Sequence, residues 1–232
     1  MRILVVGAGA LGGYFGGRLK EAGRDVTFLV RPRRAEQLAK TGLVIRSPRG
    51  DVTIAQPPTI FADKLHAPFD LILLSCKAYD LPSAIDSFAP AVGPNAAILP
   101  LLNGMKHMDL LGTQFGAAAV LGGQCIISAT LDAEGRVIHL NDLHFLSFGE
   151  VAIERSRGML IAPGSPIAAS MLRDLERGAP IEAEHIVGDL LQRGGKGAAN
   201  YSPAYPLLQI AYAHLQTYQA RREREKAPSP AR

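Results

Sequence analysis

At 232 residues, 47% hydrophobic and 20% charged, the chain has the material for one large or two smaller globular domains with a sizeable core. A formal charge of +4, with the basic residues dispersed rather than striped along one element, argues against nucleic acid as a partner and fits an anionic cofactor or substrate. No apolar run approaches the ~20 residues of a spanning helix, and the first strand follows a single arginine, too short a lead for a signal peptide; the expectation is a cytoplasmic protein with no membrane partner.

The chain opens on Arg2-Ile-Leu-Val-Val-Gly-Ala-Gly-Ala-Leu-Gly-Gly13, which reads as buried strand, tight turn and helix. Gly7, Gly9 and Gly12 have the G-x-G-x-x-G spacing: the first allows the sharp turn, the second a close approach to a pyrophosphate, the third close packing of helix on sheet. Leu11, Phe15 and Leu19 continue at helical spacing, and Asp25-Val-Thr-Phe-Leu-Val30, after the Ala22-Gly23 break, completes a βαβ unit. The residue after that second strand separates the dinucleotides, an acid meeting the ribose 2′-hydroxyl of NAD and an arginine the 2′-phosphate of NADP. Here it is Arg31, with Arg33 and Arg34 close behind and no acid until Glu36, so NADP is the expected cofactor; the plain alternative is a solvated basic loop.

A helix from Arg34 to about Lys40 stops at Gly42, and Leu43-Val-Ile45 and Val52-Thr-Ile54 flank hairpin chemistry at Ser47-Pro-Arg-Gly-Asp51. Phe69 to Cys76 is a continuous apolar run of the kind buried on both faces of a parallel sheet. It delivers Lys77 to the carboxyl edge, beside which ligands bind in open α/β sheets, unless that lysine simply surfaces there. A helix over Leu81–Phe88 and a strand over Ala96–Leu102 follow, and Asn103 brings an amide to the same edge. Ala117 to Ile127 reads as a strand, and Val137–Leu140 pairs with Phe145–Phe148 around Asn141-Asp142, closing the sheet with antiparallel strands. A linker then leads to helices over Ser170–Arg177, Pro180 to about Gln192, and Tyr205–Lys226. Cys76 and Cys125 sit in apolar runs without ligand-like neighbours, so they read as free thiols and no metal is expected.

Taken together, Gly7-Ala-Gly-Ala-Leu-Gly12, Arg31, Ser75-Cys-Lys-Ala78, Leu102-Asn-Gly-Met105, Gly135-Arg-Val-Ile-His139, Ser170-Met-Leu-Arg-Asp174 and Pro180-Ile-Glu182 resemble the ketopantoate reductase (2-dehydropantoate 2-reductase) family. The resemblance implies an α/β protein: an N-terminal Rossmann-type dinucleotide-binding domain over 1–150, a linker over 151–169, a shortened all-α domain over 170–226 and a tail over 227–232. It implies NADPH-dependent reduction of 2-dehydropantoate to pantoate, in pantothenate and coenzyme A synthesis. Position by position, Gly7, Ala8, Gly9, Ala10, Leu11 and Gly12 hold the pyrophosphate and Arg31 the 2′-phosphate. Lys77 lines the cofactor cleft, Asn103 touches nicotinamide and substrate, Ala129, just after a strand, lies against the cofactor, Ser170 binds substrate, and Glu182 sits at the cofactor and substrate junction. Read without the family, Ser170 is a helix N-cap and Glu182 an acid favoured by a helix's first-turn dipole.

The family also carries, between the last strand and Ser170, a helical segment with a Trp-x-Lys motif whose lysine is the proton donor. This chain has no tryptophan, and Val151 to Ala169 is too short to hold that segment. Three readings follow: a shortened reductase of 2-dehydropantoate, a catalytically inactive NADP-binding protein or product of a damaged gene, and a related dehydrogenase of another 2-keto or 3-hydroxy acid. A shortened helical domain leaves apolar surface that a homodimer would cover.

Overall fold

β1 (Arg2–Val6) is buried along all but its first residue, and the chain turns at Gly7 into α1 (Ala10–Glu21). In the computed structural model, which describes residues 1–148, 170–194 and 206–226, the next elements are β2 (Asp25–Leu29), α2 (Pro32–Thr41), β3 (Leu43–Arg46), β4 (Val52–Ile54), β5 (Thr59–Ile60), β6 (Phe69–Leu74), α3 (Leu81–Phe88), β7 (Val92–Pro100) and α4 (Lys106–Phe115). Two further strands follow, β8 (Gly123–Leu131) and β9 (Val137–Phe148), then α5 (Ser170–Glu176), α6 (Asp189–Gly194) and α7 (Pro206–Lys226). Residues 1–102 and those from Leu110 to 148 form one compact unit; residues 103–109 group with the described residues from 170 onward in a second. The segment 103–109 thus departs from the expected 1–150 domain.

In the first unit β5-β2-β1-β6-β7 form an all-parallel sheet, with Val6 level with Leu29 on one side and Leu74 on the other. Its two faces are apolar because both are covered. Leu4, Val6, Ile72 and Leu74 pack with Leu81, Ala84 and Phe88 of α3 and with Leu111, while Ile3, Val5, Phe28 and Leu73 pack toward α1. On α1 itself, a Cβ at Gly16 would stand 2.6 Å from the Phe28 ring and one at Gly17 2.6 Å from Ile45, so the bare backbone lets this helix lie between two sheets.

The second of those sheets, β4-β3-β9-β8, corrects the expectation that antiparallel strands close the first. β9 is one strand, not a hairpin about Asn141-Asp142; its partner is β8, and the hairpin turn lies between Leu131 and Val137. Where Asn141 bulges from the ladder, its Oδ1 accepts from the Ser128 amide at 3.2 Å and replaces the missing backbone carbonyl. The expected strand from Ala117 begins instead as a 3-10 turn, Ala117–Ala119, because Gly116 takes φ +88° and breaks the extended path.

In the second unit the expected helix from Pro180 starts late, as a π-helical turn over Glu184–Gly188 that runs into α6. The preceding segment is not helical, and α7 satisfies its carbonyls. Arg222 Nε donates to Gly178 O at 2.8 Å, the Tyr218 hydroxyl to Ala179 O at 2.9 Å, and Gln219 Nε2 to Ile181 O at 3.2 Å. Ile181, Glu182 and Ala183 are buried as a result. The expected linker over 151–169, residues 195–205 ahead of α7, and the tail over 227–232 lie outside the described residues.

Candidate functional site

Three neighbouring strands of the parallel sheet end together and deliver different chemistry to one edge. β1 delivers the glycine turn: Gly7 takes φ +92°, and its amide donates to Leu29 O at 3.0 Å. A Cβ on Gly12 would stand 2.0 Å from Gly7 O and 2.2 Å from Ser75 Oγ, so any other residue there pushes α1 off the turn. A Cβ on Gly9 would meet no packed neighbour within 4 Å, and α1 begins with no acid in its first turn and no side-chain cap. Free amides and the positive end of the helix therefore face open space, an arrangement that fits a pyrophosphate.

Two residues absent from the sequence-level site brace this turn. The Ser75 hydroxyl lies 2.9 Å from Val6 O and 3.0 Å from Gly7 O, with one proton to share between them. Arg34 Nε donates to Ala8 O at 2.8 Å, and its Nη1 donates to Gly135 O at 2.8 Å and to Gln37 Oε1 at 2.5 Å. Among the described residues its buried Nη2 has no partner, and burial pushes the guanidinium pKa down from its ordinary value. That orphaned donor, on a side chain bonded to the glycine turn, also fits an anionic group nearby.

β2 delivers Arg31, which is exposed and pairs through Nη2 with Asp80 Oδ1 at 3.2 Å. The absence of acid between Arg31 and Glu36 is thus true of the sequence and untrue in space. β6 delivers Lys77, half-buried, immediately before the 3-10 turn Ala78–Asp80. Ala129 does not follow a strand: it lies inside β8, opposite His139, in the four-stranded sheet.

The second unit brings together Asn103, Ser170 and Glu182. Asn103 Nδ2 donates to Ser170 Oγ at 3.2 Å and to Glu182 Oε2 at 3.4 Å. Gly104 makes the approach possible, with φ +77° and space for no Cβ, which would stand 2.3 Å from His185 O. Next to it Lys106 Nζ lies 3.7 Å from Glu184 Oε1, and Glu184 also bonds the Tyr212 hydroxyl. Burial and that carboxylate push the Tyr212 pKa up to about 12. His107, buried, was not singled out in the sequence. Its burial pushes the imidazole pKa down, against the opposing pull of Asp189 and Glu182. Arg193 pairs with Asp189 at 2.7 Å and with Asp109, which ties α6 to the start of α4. Among the described residues no His, Cys, Asp or Glu group is placed to hold a metal, and no helix is long and apolar enough to cross a membrane.

Residues 3–152 match the family described as ketopantoate reductase PanE/ApbA, and residues 127–219 match its C-terminal domain. The uncharacterized oxidoreductase YkpB of Bacillus subtilis is 32% identical, over 95% of this chain and 99% of that protein. That alignment runs over 307 positions, more than this chain's 232 residues, so YkpB carries residues with no counterpart here. A 2-dehydropantoate 2-reductase from Nostoc sp. is 29% identical over 64% of this chain but only 46% of its own length, so the chain spans about half of that relative. The fold is shared with 2-dehydropantoate 2-reductase from Methylococcus capsulatus, at TM-score 0.74 and 21% identity over 96% of this chain and 98% of the other. It is also shared with D-mandelate dehydrogenase in a ternary structure with NADH, at TM-score 0.78 and 16% identity over 96% and 100%. The chain belongs to the ketopantoate reductase family of oxidoreductases, with a Rossmann-type N-terminal part and a helical C-terminal part.

Proposed function

We propose that the chain reduces a 2-keto acid, 2-dehydropantoate first among the candidates, with NADPH as reductant, in pantothenate and coenzyme A synthesis. The observation that carries this reading is the meeting of Asn103, Ser170 and Glu182 from three separate parts of the chain. Gly7 to Gly12 and Arg31 would hold the nucleotide by its pyrophosphate and adenosine ends, with Lys77 beside them. When bound, the nucleotide supplies the hydride, and everything else falls to the side chains. Both hydrogens of the Asn103 amide are directed, one at Ser170 and one at Glu182, so the amide is oriented from two sides. Because Ser170 Oγ accepts from Asn103, its own proton is left to donate to an oxygen of the keto acid. Negative charge develops on the keto oxygen as hydride arrives, and donors held in place beforehand stabilise it most.

A second reading, an inactive nucleotide-binding protein, is favoured by the length of the YkpB alignment and by the lack of any tryptophan for the Trp-x-Lys segment. A positioned general acid typically contributes ~10²–10⁴-fold, so without one the alkoxide left by hydride transfer takes its proton from water and turnover falls by about that factor. The deciding experiment is a titration of NADPH fluorescence on the purified protein, followed by NADPH oxidation with 2-dehydropantoate and a panel of 2-keto and 3-hydroxy acids. Binding with turnover supports the reductase and identifies its acid. Binding without turnover supports the second reading, and no binding removes both. The homodimer is part of the same proposal: Leu172, Leu190, Leu207 and Ile210 are exposed on the second unit, and a relative of the same fold from Staphylococcus aureus, at TM-score 0.65, is described as dimeric. Light scattering that returns a clean monomer would remove that part.

A further inference from the structure

Arg31 leaves β2 at the place where a dinucleotide fold meets the 2′ substituent of the adenosine ribose. The fold sets an acid against it from the exit of another strand. Arg31 Nη2 lies 3.2 Å from Asp80 Oδ1 and 3.4 Å from Ser83 Oγ, and the Ser83 hydroxyl donates to Asp80 O at 2.9 Å. The pair is open, with side chains 73% and 37% exposed, and among the described residues the guanidinium is engaged through Nη2. A 2′-phosphate bound by the other arm carries close to two negative charges within a few ångströms of the Asp80 carboxylate, which repels it. A 2′-hydroxyl at the same place is a donor, and a carboxylate is the acceptor that suits it. Arginine alone selects the phosphate; arginine held by aspartate selects much less.

We infer that Asp80 sets cofactor specificity at the adenosine end, so that with Arg31 it makes a site accepting NADH and NADPH with similar affinity. This rests on the reading that the glycine turn holds a nicotinamide dinucleotide, and it narrows the preference for NADPH given above. Ser83, at the start of α3, supplies a neutral hydroxyl that serves either nucleotide.

The test is fluorescence titration of the full chain with NADH and with NADPH, at one fixed ionic strength, for the wild type, Asp80→Asn, Asp80→Ser and Arg31→Ala. Thermal melts confirm that each variant folds. In the wild type the two dissociation constants fall within about tenfold of each other. Asp80→Asn and Asp80→Ser both shift the affinity ratio about five- to tenfold toward NADPH, and Arg31→Ala shifts it toward NADH. A wild-type preference for NADPH well above tenfold overturns the inference. So does a ratio that stays put or moves toward NADH in the two Asp80 variants. If the wild type binds neither nucleotide, the nucleotide-binding reading itself falls, and this inference with it. Binding of both with an unmoved ratio overturns only the role of Asp80.

Discussion

Gly12 and Gly104 do the same job in two different units, each bringing backbone against backbone where a Cβ would stand 2.0 Å or 2.3 Å from a carbonyl oxygen. What each makes is different. Around Gly12 the site is mostly backbone: a turn, a helix start and free amides, all within a dozen consecutive residues. Around Gly104 it is mostly side chains, Asn103 with Ser170 and Glu182, separated by 67 and 79 positions. A site of local backbone depends on one close approach, whereas a site of distant side chains depends on everything that holds its segments in register.

The largest effect that would test this contrast is expected from Gly12→Ala. Backbone cannot give way as a side chain can, so overpacking should cost about 3 kcal/mol in a denaturant titration and lower nucleotide affinity by at least about tenfold. If both quantities stay near wild type, the turn is not built on that contact. Asn103→Ala comes next. Removing the amide that bridges Ser170 and Glu182 is expected to lower turnover on the order of 10²-fold while moving the NADPH dissociation constant far less. An equal loss in both would mean that Asn103 serves the nucleotide more than the keto acid.

Arg34→Met is expected to weaken nucleotide binding by about tenfold, since the turn loses the donor to Ala8 O. Arg34→Lys should not restore it, because one ammonium cannot reach Ala8, Gly135 and Gln37 in the guanidinium's planar arrangement. Recovery by lysine would show that charge alone matters there. The smallest effect concerns His107, whose folded pKa lies below its unfolded value. Between those two pKa values the unfolded chain binds the extra proton, so the stabilisation is complete above the unfolded value of about 6.5 and is lost as pH falls through the folded one. Urea midpoints should therefore fall between pH 7.5 and pH 5, and His107→Gln should flatten part of that slope. His144 is shifted in the same direction and contributes to the same slope. A slope unchanged in His107→Gln would assign the effect elsewhere.

Four strands of the parallel sheet are readable from the sequence because each carries its own signature, whereas the two-residue β5, just after Pro57 and Pro58, carries none. The run from Phe69 is apolar on both faces, and Gly7 and Gly12 mark a turn by spacing alone. β9 was misread because Asn141-Asp142 has the composition of a tight turn. Only the partner strand shows that Asn141 Oδ1 replaces a ladder carbonyl instead. The helix expected from Pro180 starts later for the same kind of reason, since the carbonyls of Gly178, Ala179 and Ile181 around that proline are taken by α7. Asp80 shows the limit most clearly. Nothing within a local window about Arg31 announces an acid 49 positions away.

The sequence by itself determined the glycine turn and the residue types that the apolar strands deliver at their ends, because turn geometry and hydrophobic periodicity act over a few neighbouring residues. The tertiary structure alone decided that Arg34 braces Ala8, that Asp80 holds Arg31, and that Asn103 meets Ser170 and Glu182. Hydrogen bonds and ion pairs act over about 3 Å of space, and sequence distance says nothing about which groups come that close.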